Sequence, residues 1–114
     1  MKSELDFLIE EAQKEEKYFK NYLKWTKIIK KEVEKPLGKV KVLIFGSVLK
    51  KDEVPQDIDI LIISPGLKTN EQKSKIRLKI WKKIGPTSPF EIHLITPEEY
   101  QNWYQNFIKE KIEV

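Results

Sequence analysis

Two apolar runs joined by a short polar stretch constrain this chain more than any other feature. Lys39 to Phe45 reads KVKVLIF, alternating at first and then continuously apolar, which predicts a strand. Gln56 to Ile63 reads QDIDILII, and its apolar density predicts a central strand buried on both faces. Between them, Gly46-Ser47 should begin a short helical turn, with Lys50-Lys51-Asp52-Glu53 as a polar loop. Successive strand side chains point to opposite faces, so Asp57 and Asp59 should share one, roughly 7 Å apart along the strand. Two carboxylates on so apolar a strand are costly unless something cationic sits on them. No Lys or Arg occurs between Lys51 and Lys68, so a divalent metal is the natural counter-charge. Gly46 allows an unusual backbone angle and close ligand approach, and N–H groups at a helix start bind phosphate. A metal beside such a turn suggests nucleotide chemistry.

At 114 residues, 39% hydrophobic and 35% charged, the chain reads as one small domain. That balance is too charged for a membrane protein and too apolar for a disordered one. No apolar run approaches the roughly 20 residues of a membrane span, and the start, Met1 to Asp6, lacks the pattern of a signal peptide. With no cysteine and the single histidine His93, disulfides, thiolate zinc sites and multi-histidine metal sites are excluded. These features give a cytoplasmic expectation, and Lys/Glu richness without Cys fits an archaeal or thermophilic source. The net charge of +4 is uneven. Its surplus lies in Lys68, Lys73, Lys75, Arg77, Lys79, Lys82 and Lys83, either a solvated helix face or a surface for a phosphate-bearing partner.

The remaining elements follow from periodicity. Ser3 and Asp6 form a capping-box pattern, with Leu5, Leu8, Ile9 and Ala12 behind them. Tyr18, Tyr22, Trp25, Ile29 and Val33 make a second helical stripe, ended by Pro36-Leu37-Gly38. A straight helix over 3–35 would be roughly 50 Å long. A break near 12–17, or an overhang, is therefore expected. A second helix is expected from Asn70 to Ile84 with Ile76, Ile80, Trp81 and Ile84 inward, then a strand from Phe90 to Ile95. Thr96-Pro97-Glu98-Glu99 opens a last helix expected to bury Tyr100, Trp103, Tyr104, Phe107, Ile108 and Ile112. The expected fold is thus α/β (α+β) in the order αβαβαβα. A small mixed sheet of three strands, or slightly more, is covered by helices. We expect one domain over 1–114, with 1–35 a helical extension of a core at 36–114.

Glu91 is the third acid. In Phe90-Glu91-Ile92-His93-Leu94-Ile95 it shares a face with His93, and a neighbouring strand could carry it to Asp57 and Asp59. Three carboxylates can hold two magnesium ions about 4 Å apart, one gripping a triphosphate and one activating a hydroxyl. Glu91 could instead take the proton as a base. Lys50 could meet the triphosphate, and His93 could tune the site.

Phe45-Gly46-Ser47, nine residues, then Asp57-Ile58-Asp59-Ile60 resembles the signature of the DNA polymerase β-like nucleotidyltransferase superfamily. It is most similar to the minimal nucleotidyltransferases related to kanamycin nucleotidyltransferase. The resemblance implies a nucleoside triphosphate held by Gly46 and Ser47. It also implies Mg2+, with Mn2+ as its substitute, held by Asp57, Asp59 and Glu91, and transfer of AMP with loss of pyrophosphate. The third acid falls on Glu91 where many members have Asp. Minimal members are often paired with a helical toxin of the HEPN class, act as its antitoxin and can transfer AMP to it. The resemblance therefore implies a partner protein or protein acceptor.

Two other readings compete. One is a non-catalytic, antitoxin-like subunit that keeps the fold and acts by binding. The other is a basic RNA-binding module, which predicts steep salt dependence but lacks the interleaved exposed aromatics used for stacking. The stripe from Tyr18 to Val33 serves as core packing or as a homodimer or partner surface.

Overall fold

Strong local signals start the helices. In the computed structural model, which describes residues 3–114, Ser3 caps α1 (Glu4–Lys20) and exchanges hydrogen bonds with Asp6. The reading of the N-terminus rests partly on Met1 and Lys2, which lie outside the described residues. Asn21 separates α1 from α2 (Tyr22–Leu37), so the break falls beyond the expected 12–17. The first half of α1 overhangs, with Leu5 and Leu8 about two-thirds exposed at 66% and 65%. The stripe behind it is core. Tyr18, Ile29 and Val33 are buried, and Tyr22 and Trp25 pack against them.

The strands β1 (Lys41–Phe45), β2 (Ile58–Ile63), β3 (Phe90–Ile95) and β4 (Lys111–Glu113) form one mixed sheet in the order β3-β2-β1-β4. β2 is central, antiparallel to β1 and parallel to β3, as its apolar density predicts. Ile58, Ile60 and Ile62 point with Val42, Ile44 and Leu94 into a core closed by α2 and by Ile76, Ile80 and Ile84 of α3 (Asn70–Ile84). Leu43, Leu61, Ile63 and Ile95 point the other way, to Ile108, Tyr100 and Tyr104. No helix among the described residues is long and apolar enough to cross a membrane.

The C-terminal segment departs from expectation. Thr96 caps a helix as predicted, and the helix (α4, 97–107) passes from Pro97–Glu99 through a π-helical stretch, Tyr100–Tyr104, into Gln105–Phe107. It stops there. Ile108 adopts an extended backbone and is buried, while Lys111–Glu113 pairs with β1, placing Lys111 opposite Phe45 and Glu113 opposite Leu43. The helical spacing through Ile112 misled because β1 has a second edge. A short strand there satisfies backbone groups that would otherwise be unpaired. Trp103 and Phe107, expected inside, stand 65% and 73% exposed, and Ile112 is exposed on β4. Trp81 is also exposed, because Ile76, Ile80 and Ile84 alone meet the core from α3.

Candidate active site

α4 covers only part of its sheet face. The uncovered part lies where β1 ends and β2 and β3 begin, and the register places the acids there. Asp59 stands opposite Phe45 on one side and Glu91 on the other. His93 follows Glu91 on the same face by the two-residue strand period. Its Nε2 lies 3.9 Å from Asp59 Oδ1 and 3.8 Å from Glu91 Oε1. Candidate ligand atoms of Asp59, Glu91 and His93 all fall within 4.8 Å of one another. The histidine ring is held from behind by Phe45 at 5.6 Å and Tyr104 at 6.1 Å between centroids.

Burial and crowding give Asp59 unusual electrostatics. Its side chain is 21% exposed, against 56% for Glu91. Loss of water pushes the Asp59 carboxyl above its ordinary value, and the hydrogen-bonding contact and negative charge of Glu91 push it further. Asp57 adds in the same direction, while His93 pulls the other way. Asp59 so placed holds its proton more tightly than an ordinary carboxyl, for lack of positive charge beside it. A divalent cation fits this donor set, since carboxylate oxygens suit Mg2+ or Mn2+ and the imidazole is a further available ligand.

Asp57 sits just before β2 and is exposed, so strict strand alternation applies to Asp59 alone. It is not among the three residues whose ligand atoms cluster, though its charge reaches Asp59. The amide of the next residue, Ile58, donates to Pro89 O at 2.9 Å, anchoring the entry to the strand.

Gly46 follows β1 with φ +85° and ψ −159°, a region essentially restricted to glycine. A Cβ there would overlap Asp59 Oδ2 and lie 3.2 Å from its Cγ. The turn and the half-buried Asp59 thus occupy adjoining space. Gly46-Ser47 begins a short helical turn as expected, the 3-10 turn Ser47–Leu49, with Gly46 at the cap position. Lys50 follows the turn, exposed, with Nζ 3.8 Å from Glu53 Oε1. It shares with Gly46, Phe45, Ile108 and Lys109 a cleft of about 290 Å³.

The structure therefore gathers Asp59, Glu91 and Gly46, sets Lys50 at a neighbouring cleft and leaves Asp57 at the rim. His93 is a full member of the cluster rather than an accessory. The signal for it was the Glu91-x-His93 spacing, decisive only once β3 is known to lie beside β2.

Residues 26–113 match the family model described as the nucleotidyltransferase domain, a span that begins within α2 and includes the whole cluster. A crystal structure of a candidate nucleotidyltransferase is similar, at 30% identity and TM-score 0.65, over 78% of this chain and 96% of that one. A second, from Sulfolobus solfataricus, shares the fold at 21% identity and TM-score 0.52, over 90% of this chain and 84% of the other. No curated protein matches the chain.

Proposed function

This chain belongs to the nucleotidyltransferase domain family, and from that premise we propose that it transfers AMP from ATP to a hydroxyl on a partner protein. The observation that carries the reading is the convergence of Asp59, Glu91 and His93 within 4.8 Å beside the glycine turn. In the reaction, the acceptor oxygen bonds to the α-phosphorus, the bond to the bridging oxygen breaks and pyrophosphate leaves. The divalent cation, when bound, offsets the triphosphate charge and eases ionisation of the acceptor hydroxyl.

The residues divide the work. Asp59, fixed between β1 and β3, and Glu91 hold the cation, with Asp57 closing from the rim. Glu91 is the more exposed of the clustered acids, so its carboxylate is placed to take the acceptor proton. Gly46 lets the triphosphate approach the backbone closely, Ser47 offers its hydroxyl, and Lys50 supplies charge to the phosphates. His93, braced by Phe45 and Tyr104, lies within 4 Å of both carboxylates and offers a third ligand. Trp103 and Phe107 stand exposed on the helix that carries Tyr104, which suits a protein acceptor, such as the helical toxin class the resemblance implies.

The test is calorimetric titration of ATP, GTP, CTP and UTP with Mg2+ on the wild type and on Asp57→Asn/Asp59→Asn. Mg2+-dependent binding of ATP that the double variant loses is expected. Labelled α-phosphate should then appear on an acceptor in cell extract. No nucleotide binding at millimolar concentration would refute the stand-alone enzyme. A partner complex indifferent to both aspartates would instead favour a binding subunit.

A further inference from the structure

The chain exposes more surface than its mass warrants. At 13.6 kDa a compact monomer should show about 6,600 Å², yet the protein shows 8005 Å². Its radius of gyration is 15.3 Å, against about 13 Å expected for this length. The excess has a location. The first half of α1 projects away from the sheet, and its exposed apolar side chains include Leu5, Phe7, Leu8 and Ile9. Leu5, Leu8, Ile9 and Ala12 share one face by helical spacing.

A second unpartnered apolar surface lies near the base of that arm. β3 is an edge strand, and between it and α3 runs a groove of about 510 Å³ lined by Leu78, Trp81, Ile84, Phe90, Ile92 and Arg77. Leu78 is 46% exposed and Trp81 51%. Arg77 Nη1 donates to Ile92 O, so a backbone acceptor of the strand is already met and the groove offers side chains rather than a strand-pairing edge. Tyr18 ties arm and groove together. Its hydroxyl donates to Ile84 O, and its ring meets Phe90 edge-on at 6.1 Å.

The two surfaces complement each other in charge. Residues 3–16 contain Glu4, Asp6, Glu10, Glu11, Glu15 and Glu16 against Lys14 alone. The groove contains Arg77, with Lys73 one turn before it on α3 and Lys82 one turn after Leu78. We infer that two copies of this chain pair by exchanging arms, each laying the apolar face of its α1 in the α3–β3 groove of the other. An arm that leaves the domain beside its own groove can be exchanged about a two-fold axis, and such a pairing closes on itself. The excess, about 1,400 Å² per chain, exceeds the roughly 800 Å² per partner of a standard interface, which leaves room for two arm-in-groove contacts.

The chain has no cysteine, which makes a direct test simple. The full chain should sediment as a dimer at micromolar concentration, and its dissociation constant should rise with salt. Leu8→Asp on the arm and Leu78→Asp on the groove should each weaken pairing at least tenfold. Both sites are exposed, and unchanged circular dichroism would confirm that folding is intact. Mixed Leu8→Cys and Leu78→Cys chains, oxidised, should give a covalent heterodimer. A monomer at all concentrations would overturn the inference. So would a dimer indifferent to both aspartate substitutions, or crosslinking only within a chain carrying both cysteines, which would mean the arm folds back on its own groove.

Discussion

Replacing Gly46 by alanine tests the contact between the turn and the half-buried Asp59. The backbone at φ +85°, ψ −159° costs a non-glycine residue about 1–3 kcal/mol. The new methyl would also meet Asp59 Oδ2 in overlap and its Cγ at 3.2 Å, and overpacking of this kind costs a further ~1–3 kcal/mol. Gly38 is the internal control. Its backbone is nearly the same, φ +74° and ψ −151°, but nothing lies within 4 Å of a Cβ built there. Gly38→Ala should therefore show the backbone cost alone. The steric difference between the two variants should appear as roughly 4–12 °C in Tm by scanning calorimetry, at ~4 °C per kcal/mol for a domain of this size. Asp59→Ala removes the offending oxygen and leaves only a Cβ at 3.4 Å, an ordinary contact. In that background the cost of Gly46→Ala should fall to that of Gly38→Ala. Equal costs for both glycines in the wild type, or no relief in the Asp59→Ala background, would refute the claim that Gly46 is required by Asp59.

Asp59→Asn should raise Tm at neutral pH in EDTA. The folded state holds the Asp59 proton above its ordinary value, so this group's contribution to stability is fullest in acid and is lost as pH rises from about 4 through the raised value. The variant should lack that loss, and parallel Tm–pH curves would contradict the assignment. Mg2+ should stabilise the wild type and leave the variant unmoved in the same scans. Tyr18→Phe should cost about 1 kcal/mol by urea unfolding, since the hydroxyl bonds Ile84 O in a buried setting; no change would mean the bond contributes nothing net. Lys50→Ala should weaken ATP binding about three- to tenfold by calorimetry while leaving Mg2+ stabilisation intact, as expected of a charge-assisted phosphate contact. Equal loss of both would place Lys50 in the cation site instead.

What could be read from the sequence divides by the range of the interaction. The capping box at Ser3 and the N-cap at Thr96 depend on neighbours within a few residues, and both formed. The central place of β2 followed from Ile58–Ile63, because only a strand covered on both faces can afford so apolar a run. The errors arose where a distant partner decided. Ile112 lies at helical spacing from Ile108, but the free edge of β1 recruits it into β4. Trp81, expected inward with Ile80 and Ile84, stands half exposed in the groove between α3 and the edge strand β3.

The candidate site shows the same division within a few residues. Asp57 and Asp59 attracted notice because acids beside an apolar strand need a cause, but spacing alone could not say that only Asp59 lies in the strand. Glu91 and His93 are more than thirty residues from Asp59 in sequence, and the parallel register of β2 and β3 alone sets Glu91 opposite it. A parallel pair needs a crossover, and α3 supplies it. Had β3 paired one residue out of register, Glu91 and His93 would face the α2–α3 core, where a carboxylate is prohibitive. The hydrophobic alternation of Phe90, Ile92 and Leu94 thus enforces the geometry of the acids. The residues that pack the core place the chemistry on the opposite face.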